Sequence, residues 1–262
     1  VLRLEGEGGR KARALAAGIE HLRGHSWDTL LVVDADCRVP PGFLSRVSVR
    51  SDEVVQVGVR LESEGAGRTS IYEFLSRLEN DLFHGGRERL GLVALLRGTG
   101  MLVGREALDV CPWRADGLTE DREQGLEFVR SGIVVRYDLS LTVVTSPPAG
   151  VRETWGQRRR WTSAGLARTL WEAARTAAVS FSNVGPRALE LPLAALADAR
   201  SQWLFLLLGA LLLGVVADGQ PYVAIALLTL WLVSTVALGF AWYGRSFIRI
   251  LAQIPTSVIL AI

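Results

Sequence analysis

The pattern of apolar and polar positions divides the 262-residue chain into two parts. As far as about residue 197, short apolar runs alternate with charged stretches, which is typical of buried strands and amphipathic helices. Residues 203–262 are almost continuously apolar, and their only charged residues are Asp218, Arg245 and Arg249. The pattern therefore predicts a folded domain followed by helices that lie in a membrane.

The first part predicts an α/β domain. Runs rich in β-branched residues predict strands at 30–33, 53–59, 133–137 and 141–144, and helical spacing predicts helices at 12–22, 43–49 and 68–83. A further helix begins after Thr119 and ends before Gly132. Because the 30–33 strand is a short continuous apolar run, we expect it to lie in a parallel sheet.

Two carboxylates follow the 30–33 strand. In Asp34-Ala35-Asp36, alternation along an extended chain points both aspartates to the same side. Such like charges repel unless a cation lies between them, and a divalent ion that also binds substrate phosphate would fit there. The alternative is a strand that ends in a solvated acidic turn.

Two glycine-containing turns are further candidates for a site. Residues 6–11 end at Lys11, the only lysine of the chain, and precede a helix. Such a turn either holds phosphate through its backbone N–H groups or is a plain turn. Residues 97–100, Arg-Gly-Thr-Gly, would let a substrate approach the backbone closely, or would form a simple bend.

Thr119-Glu120-Asp121 opens the helix that ends before Gly132. Thr119 is a good N-cap and the two acids suit the helix dipole, which is a complete structural explanation. The functional alternative is that Asp121 acts as a general base, which requires it to lie near the proton and to be ionised.

The stretch 157–161 reads Gln-Arg-Arg-Arg-Trp, and a helix there would place Gln157, Arg160 and Trp161 on one face. Arginine and tryptophan together fit an amphipathic helix on anionic lipid. They also fit a site that binds a diphosphate and a sugar ring. A nucleic-acid patch is the weaker interpretation, because the basic residues are local.

Two apolar segments, 203–217 and 222–243, predict a transmembrane hairpin. Arginines flank the hairpin on one side and its loop contains none, so the positive-inside rule places the preceding domain in the cytoplasm. The net charge of +2 indicates no particular partner. Neither Cys37 and Cys111 nor the three histidines have metal-ligand spacing, and a reducing compartment is the simpler assumption.

Four motifs occur in one order and together resemble the processive, membrane-embedded members of glycosyltransferase family 2, such as cellulose, hyaluronan, chitin and poly-N-acetylglucosamine synthases. Residues 11–15 resemble the family's KAxAL, 34–36 its DxD, 119–121 its TED and 157–161 its QxxRW. Residues 98–100 fall where the family has an acceptor-side loop. Ala16 departs from the asparagine of many members. The family's first strand, with a uridine-binding aspartate, is expected to be missing.

The resemblance implies a role for each matching residue. Asp121 would be the catalytic base, and Asp36 with Asp34 would bind Mg²⁺ or Mn²⁺. The nucleotide sugar would be bound by Lys11, Asp34, Gln157 and Arg160. The acceptor would be bound by Trp161, Gly98, Thr99, Gly100 and Glu120.

We therefore expect three regions in an α/β protein of GT-A-like fold. Residues 1–150 would be a partial cytoplasmic catalytic domain, 151–200 amphipathic interfacial helices, and 201–262 a transmembrane hairpin with the start of a further helix. The implied function is inverting transfer from a UDP-sugar to a growing β-linked polysaccharide at the bacterial cytoplasmic membrane. Membrane lipids and accessory subunits would be partners, and nucleic acid would not.

Two alternatives stay open. The first keeps the chemistry and transfers a single sugar to a membrane lipid. The second is a membrane-anchored partner without catalytic activity, against which the intact acidic positions argue.

Overall fold

The computed structural model describes residues 11–62, 71–114, 119–146, 166–198 and 222–251. In this part of the chain, five strands form one sheet: β1 (Thr29–Val32), β2 (Cys37–Arg38), β3 (Val54–Leu61), β4 (Met101–Gly104) and β5 (Val135–Thr145). The α-helices are α1 (Lys11–Leu22), α2 (Phe43–Arg46), α3 (Ile71–Arg77), α4 (Gly85–Arg89), α5 (Arg105–Val110), α6 (Glu120–Arg130), α7 (Leu166–Val184), α8 (Leu191–Asp198), α9 (Tyr222–Tyr243) and α10 (Phe247–Leu251). A π-helix (Leu78–His84) joins α3 to α4, and 3₁₀ turns lie at Gly185–Ala188 and Gly244–Ser246.

The sheet has the strand order β1-β4-β3-β5-β2 and is mixed. Only β3 and β5 pair in parallel among the described strands, whereas β1 pairs with β4 in an antiparallel register from Thr29–Gly104 to Val32–Met101. Among the described strands, β1 therefore has an antiparallel neighbour and not the expected parallel one. A continuous apolar run requires cover on both faces of the sheet, and an antiparallel pair inside two layers satisfies that requirement equally well.

Both faces of the sheet are covered. Neighbouring residues of β3 point to opposite sides of the sheet, and each side packs in its own apolar cluster. Val54 packs in the larger cluster with Met101 and Phe128. Val55 packs in a second cluster with Phe43 and Val143. The segments that carry the candidate site residues lie at one end of this two-sided core, where β1 ends and β4 begins.

Several predicted boundaries change. The strands expected at 133–137 and 141–144 are one strand, β5, whose pairing with β3 is irregular between Val57 and Gly58. The helix expected at 43–49 is the shorter α2, and the helix expected at 68–83 becomes the π-helix at Leu78. The helix after Thr119 is confirmed as α6, and Gly132 follows it with a φ of +84°.

The C-terminal helices dock on α3 through a small apolar cluster. Phe74 of α3 packs against Phe247 and Ile250 of α10, and Arg77 lies 4.6 Å from the ring centroid of Trp242. The helix expected at 222–243 is confirmed as α9. Among the helices that the structure describes, none combines the length and the apolar character of a membrane span. The predicted hairpin is therefore not confirmed, and its first segment lies outside the described residues.

Candidate active site

The chain turns sharply after β1 and brings three potential ligands together. The N–H of Cys37 donates to the carbonyl of Asp34 at 3.0 Å, which closes the turn. Carboxylate oxygens of Asp34 and Asp36 and the Sγ atom of Cys37 all lie within 4.8 Å of one another. The two aspartates lie close together as predicted, but a turn brings them there and not alternation along an extended strand.

The donor set of this turn fits a divalent cation. Two carboxylates, with further positions for water and substrate phosphate, match the way proteins bind Mg²⁺. Burial raises the pKa of the Cys37 thiol, and the charges of Asp36 and Asp34 raise it further, although hydrogen bonds oppose the shift. Sequence reasoning missed Cys37, because it looked for the spacing between cysteines and not for a thiol beside two acids.

Lys11 links this turn to a second loop. It is the first residue of α1, its Nζ atom forms an ion pair with Asp34, and it donates a hydrogen bond to the carbonyl of Gly98. The side chains of Lys11 and Asp34 are 37% and 35% exposed, so both remain accessible to a substrate.

Residues 97–100 form the loop that enters β4. Gly98 and Gly100 have φ angles of +80° and +66°, in the left-handed region that favours glycine. The hydroxyl of Thr99 accepts the N–H of Asp34 at 3.0 Å and donates to Sγ of Cys37 at 3.4 Å. The side chain of Thr99 therefore faces the Asp34 turn and is buried.

Asp121 approaches the same loop from the first turn of α6. A Cβ atom added to Gly98 would lie 3.1 Å from Oδ2 of Asp121 and 3.2 Å from Nζ of Lys11. Thr119 stands at the N-cap position, but within the described residues its side chain makes no capping hydrogen bond. Its carbonyl accepts the N–H of Glu123 at 3.0 Å instead.

Burial changes the acidity of both carboxyls of this helix turn. Burial raises the pKa of Asp121, while the N–H and the charge of Arg122 and the charge of Lys11 oppose the shift. Burial also raises the pKa of Glu120, and the nearby Asp121 charge adds to it. A carboxylate with a raised pKa is a stronger base than an ordinary aspartate, which suits proton abstraction.

The structure thus brings together most of the site residues predicted from sequence. These are Lys11, Asp34, Asp36, Gly98, Thr99, Gly100, Glu120 and Asp121. Gln157, Arg160 and Trp161 lie outside the described residues, so their roles stay predictions.

Sequence reasoning also missed Gln56, which lies under the loop 97–100. Gln56 is fully buried in β3, and its Oε1 accepts the N–H of Arg97 at 2.9 Å. The signal was present, because a single glutamine interrupts the β-branched run of residues 54–59.

A separate cleft of about 590 Å³ lies between α6 and α7. Its lining includes Thr119, which precedes α6, and Arg122 and Leu126 of α6, a face of the helix that does not include Asp121. Arg130, also in its lining, is paired with Glu172 at 2.6 Å. The lining of this cleft contains neither Asp121 nor the Asp34 turn.

Comparison with protein families identifies the chain. Residues 1–164 match the family model described as glycosyltransferase like family 2. Because the match covers more than half of the 262 residues, the chain belongs to this family and is a glycosyltransferase. The family implies a nucleotide-sugar donor and an acceptor, and its enzymes commonly use divalent metals. Comparison with curated proteins gave no match.

Proposed function

We propose that the protein transfers a sugar from a UDP-sugar onto a growing β-linked polysaccharide, with inversion at the sugar carbon. One observation carries the proposal: Lys11 pairs with Asp34 and binds the carbonyl of Gly98, and Asp121 approaches the same glycine from a third element. A cation, a candidate metal ligand and a buried base are the groups that this reaction requires at one place.

The reaction would be a single displacement. Asp121 removes the proton of the acceptor hydroxyl while the acceptor oxygen bonds to the anomeric carbon, and the bond to the diphosphate oxygen breaks. An α-linked donor then gives a β-linked product, and UDP leaves with the electron pair. The raised pKa of Asp121 supports this role, since a base works best when its pKa lies close to the operating pH.

Lys11 and Asp34 would orient the donor. Lys11 pairs with Asp34 and its charge also acts on Asp121, and it would move from Asp34 towards the diphosphate when the donor binds. Gln157 and Arg160 would hold the same diphosphate. Charge-assisted hydrogen bonds of this kind are about twice as strong as neutral ones.

Asp36 and Asp34 would hold Mg²⁺ or Mn²⁺ on the diphosphate. A bound divalent ion there neutralises charge that develops on the leaving group. The exposure of Asp36 fits a ligand that meets the ion and the substrate together.

The acceptor would lie between the 97–100 loop, Glu120 and Trp161. Thr99 would contribute through its backbone, because its hydroxyl is engaged by Asp34 and Cys37. Trp161 would stack on the acceptor sugar.

We place the reaction at the cytoplasmic face of a bacterial membrane. Two observations support contact with a membrane: residues 222–243 contain no charged residue, and Leu230 and Val233 of α9 are 67% and 59% exposed. Exposed apolar surface of this kind favours contact with lipid or with another apolar partner.

The test uses membranes that carry the protein, labelled UDP-glucose or UDP-N-acetylglucosamine, and Mg²⁺ or Mn²⁺. Label in large, water-phase, glycosidase-sensitive material, absent with Asp121→Asn, is the expected result. Label in a small solvent-extractable lipid would show that the acceptor is a lipid and not a polysaccharide. Equal labelling with and without the protein would contradict both versions.

A further inference from the structure

The loop 97–100 is held from below by one buried side chain. Gln56 is 0% exposed, and its Nε2 donates to the carbonyls of Thr99 at 2.8 Å, Val57 at 2.9 Å and Gly100 at 3.3 Å. Its Oε1 accepts the N–H of Arg97 at 2.9 Å. Both ends of the amide therefore bind backbone atoms of the loop.

The loop is in turn the point where the donor side and the base meet. The carbonyl of Gly98 binds Lys11, the hydroxyl of Thr99 binds the N–H of Asp34, and Gly98 lies against Asp121. Gly100 is tied to both neighbouring strands, because its N–H donates to Val32 and its carbonyl accepts from Val57, each at 2.8 Å. A shift of the loop would move the groups on both sides of the reacting bond.

A second layer holds the side chain of Arg97. Its guanidinium lies 3.0 Å from Glu79 and 3.2 Å from Asn80, both in the π-helix. The hydroxyl of Tyr137 donates to the same Oδ1 of Asn80 at 2.7 Å. π-helical turns are rare in proteins, and those that occur often lie at functional sites. Main-chain and side-chain atoms of Arg97 are thus fixed separately.

We propose that Gln56 is a positioning residue of the transferase site, which holds the 97–100 loop in register with Lys11, Asp34 and Asp121. The inference rests on the proposed sugar transfer for its kinetic part only. Gln56 touches no substrate in this account; it acts through the loop backbone. Its amide is suited to the task because it supplies a donor and an acceptor from one buried group.

Gln124 is a matched control within the same chain. It is also 0% exposed, its Oε1 accepts the N–H of Arg114 at 3.0 Å, and its Nε2 approaches the carbonyl of Pro112 at 3.4 Å. Loss of either amide removes buried hydrogen bonds to a loop, but only Gln56 binds the loop of the site.

The experiment compares Gln56→Leu, Gln56→Glu and Gln124→Leu in the whole chain. Amide hydrogen exchange, measured without substrate, should be faster at residues 97–100 in both Gln56 variants and unchanged there in Gln124→Leu. In Gln56→Glu the ionised carboxylate still accepts the Arg97 N–H, but its second oxygen faces the carbonyls that Nε2 had bound, so exchange at 97–100 should be at least as fast as in Gln56→Leu. Unchanged exchange at 97–100 in Gln56→Leu would overturn the proposal.

Kinetics provide the second measurement. In Gln56→Leu, kcat for UDP release should fall about 10²-fold, the cost of a displacement near 1 Å at a reacting centre. The donor KM should change much less, because Asp34 and Lys11 remain. An equal loss of kcat in Gln124→Leu would overturn the positioning role. If the unaltered protein released UDP from no UDP-sugar, the proposed function would fail, while hydrogen exchange would still decide whether Gln56 holds the loop.

Discussion

Two regions of the molecule are held together in different ways. Around the 97–100 loop the long-range contacts are polar: Gln56, Lys11 and Thr99 each bind particular backbone or carboxylate atoms. Where the C-terminal helices meet α3, the contact is an apolar cluster around Phe74 and Phe247, with Arg77 over Trp242. The first region fixes the position of individual atoms, whereas the second fixes only how two surfaces fit.

This difference has a consequence for substitutions. A small displacement in the polar region costs activity, because reacting groups depend on distances of about 3 Å. A displacement in the apolar region costs stability in proportion to the packing that is lost. The two regions should therefore be separable by measuring rate and stability side by side.

The largest effect should come from Asp121→Asn. The asparagine amide has nearly the same shape as the carboxylate but cannot take the proton of the acceptor hydroxyl. We therefore expect kcat to fall about 10²–10⁴-fold, the usual contribution of a general base. The initial rate of UDP release measures this. A variant that kept its full rate would show that Asp121 is not the base.

Gly98→Ala should be next, with Gly91→Ala as its control. Both glycines have positive φ, +80° and +68°, so both alanines carry a backbone cost of about 1–2 kcal/mol. Only at Gly98 does the new Cβ meet Asp121 and Lys11; at Gly91 nothing lies within 4 Å. We expect similar melting temperatures for the two variants and a kcat about 10²-fold lower for Gly98→Ala alone. Equal rates would contradict the closeness of loop and base.

Gly239→Ala tests the apolar region. A Cβ there would overlap the ring of Phe247, so the ring must move and the docking of α10 on α9 should weaken. Overpacking of this kind costs about 1–3 kcal/mol, which thermal unfolding would register. The control Gly18→Ala, in α1 with nothing within 4 Å, should leave stability equal or higher. A rate loss in Gly239→Ala as large as in Gly98→Ala would abolish the contrast between the two regions.

The smallest effect concerns pH. Because the pKa of Asp121 is higher in the folded than in the unfolded state, the folded protein binds more protons between the two values. This contribution to stability is present below the ordinary aspartate pKa and is lost as pH rises through the raised pKa. Above it, Asp121→Asn should melt at a higher temperature than the unaltered protein, and the difference should vanish in acid. A lower melting temperature of Asp121→Asn at a pH above the raised pKa would reverse the sign assigned to burial.

Local chemistry made much of the site predictable from sequence. Asp34 and Asp36 were expected close together because they are two residues apart, and their oxygens do lie together, although a turn and not extended alternation brings them there. The helix of Asp121 was expected from its end signals, and α6 has those ends. Adjacent residues settle both features, so no long-range information is required.

The remainder depends on contacts between distant parts of the chain. Gln56 and Arg97 are 41 residues apart, and nothing near either residue indicates their hydrogen bond. The antiparallel pairing of β1 with β4 has the same origin, since an apolar run does not encode the direction of its neighbour. The membrane hairpin and the roles of Gln157, Arg160 and Trp161 stay predictions.

The stereochemistry of the first bond formed tests the central claim most directly. With an α-linked UDP-sugar, the account predicts a β-linked product by NMR, no sugar attached to the protein by mass spectrometry, and about 10²–10⁴-fold slower formation of product and UDP with Asp121→Asn. An α-linked product, or a sugar bound covalently to the protein, would contradict a single displacement in which Asp121 is the base.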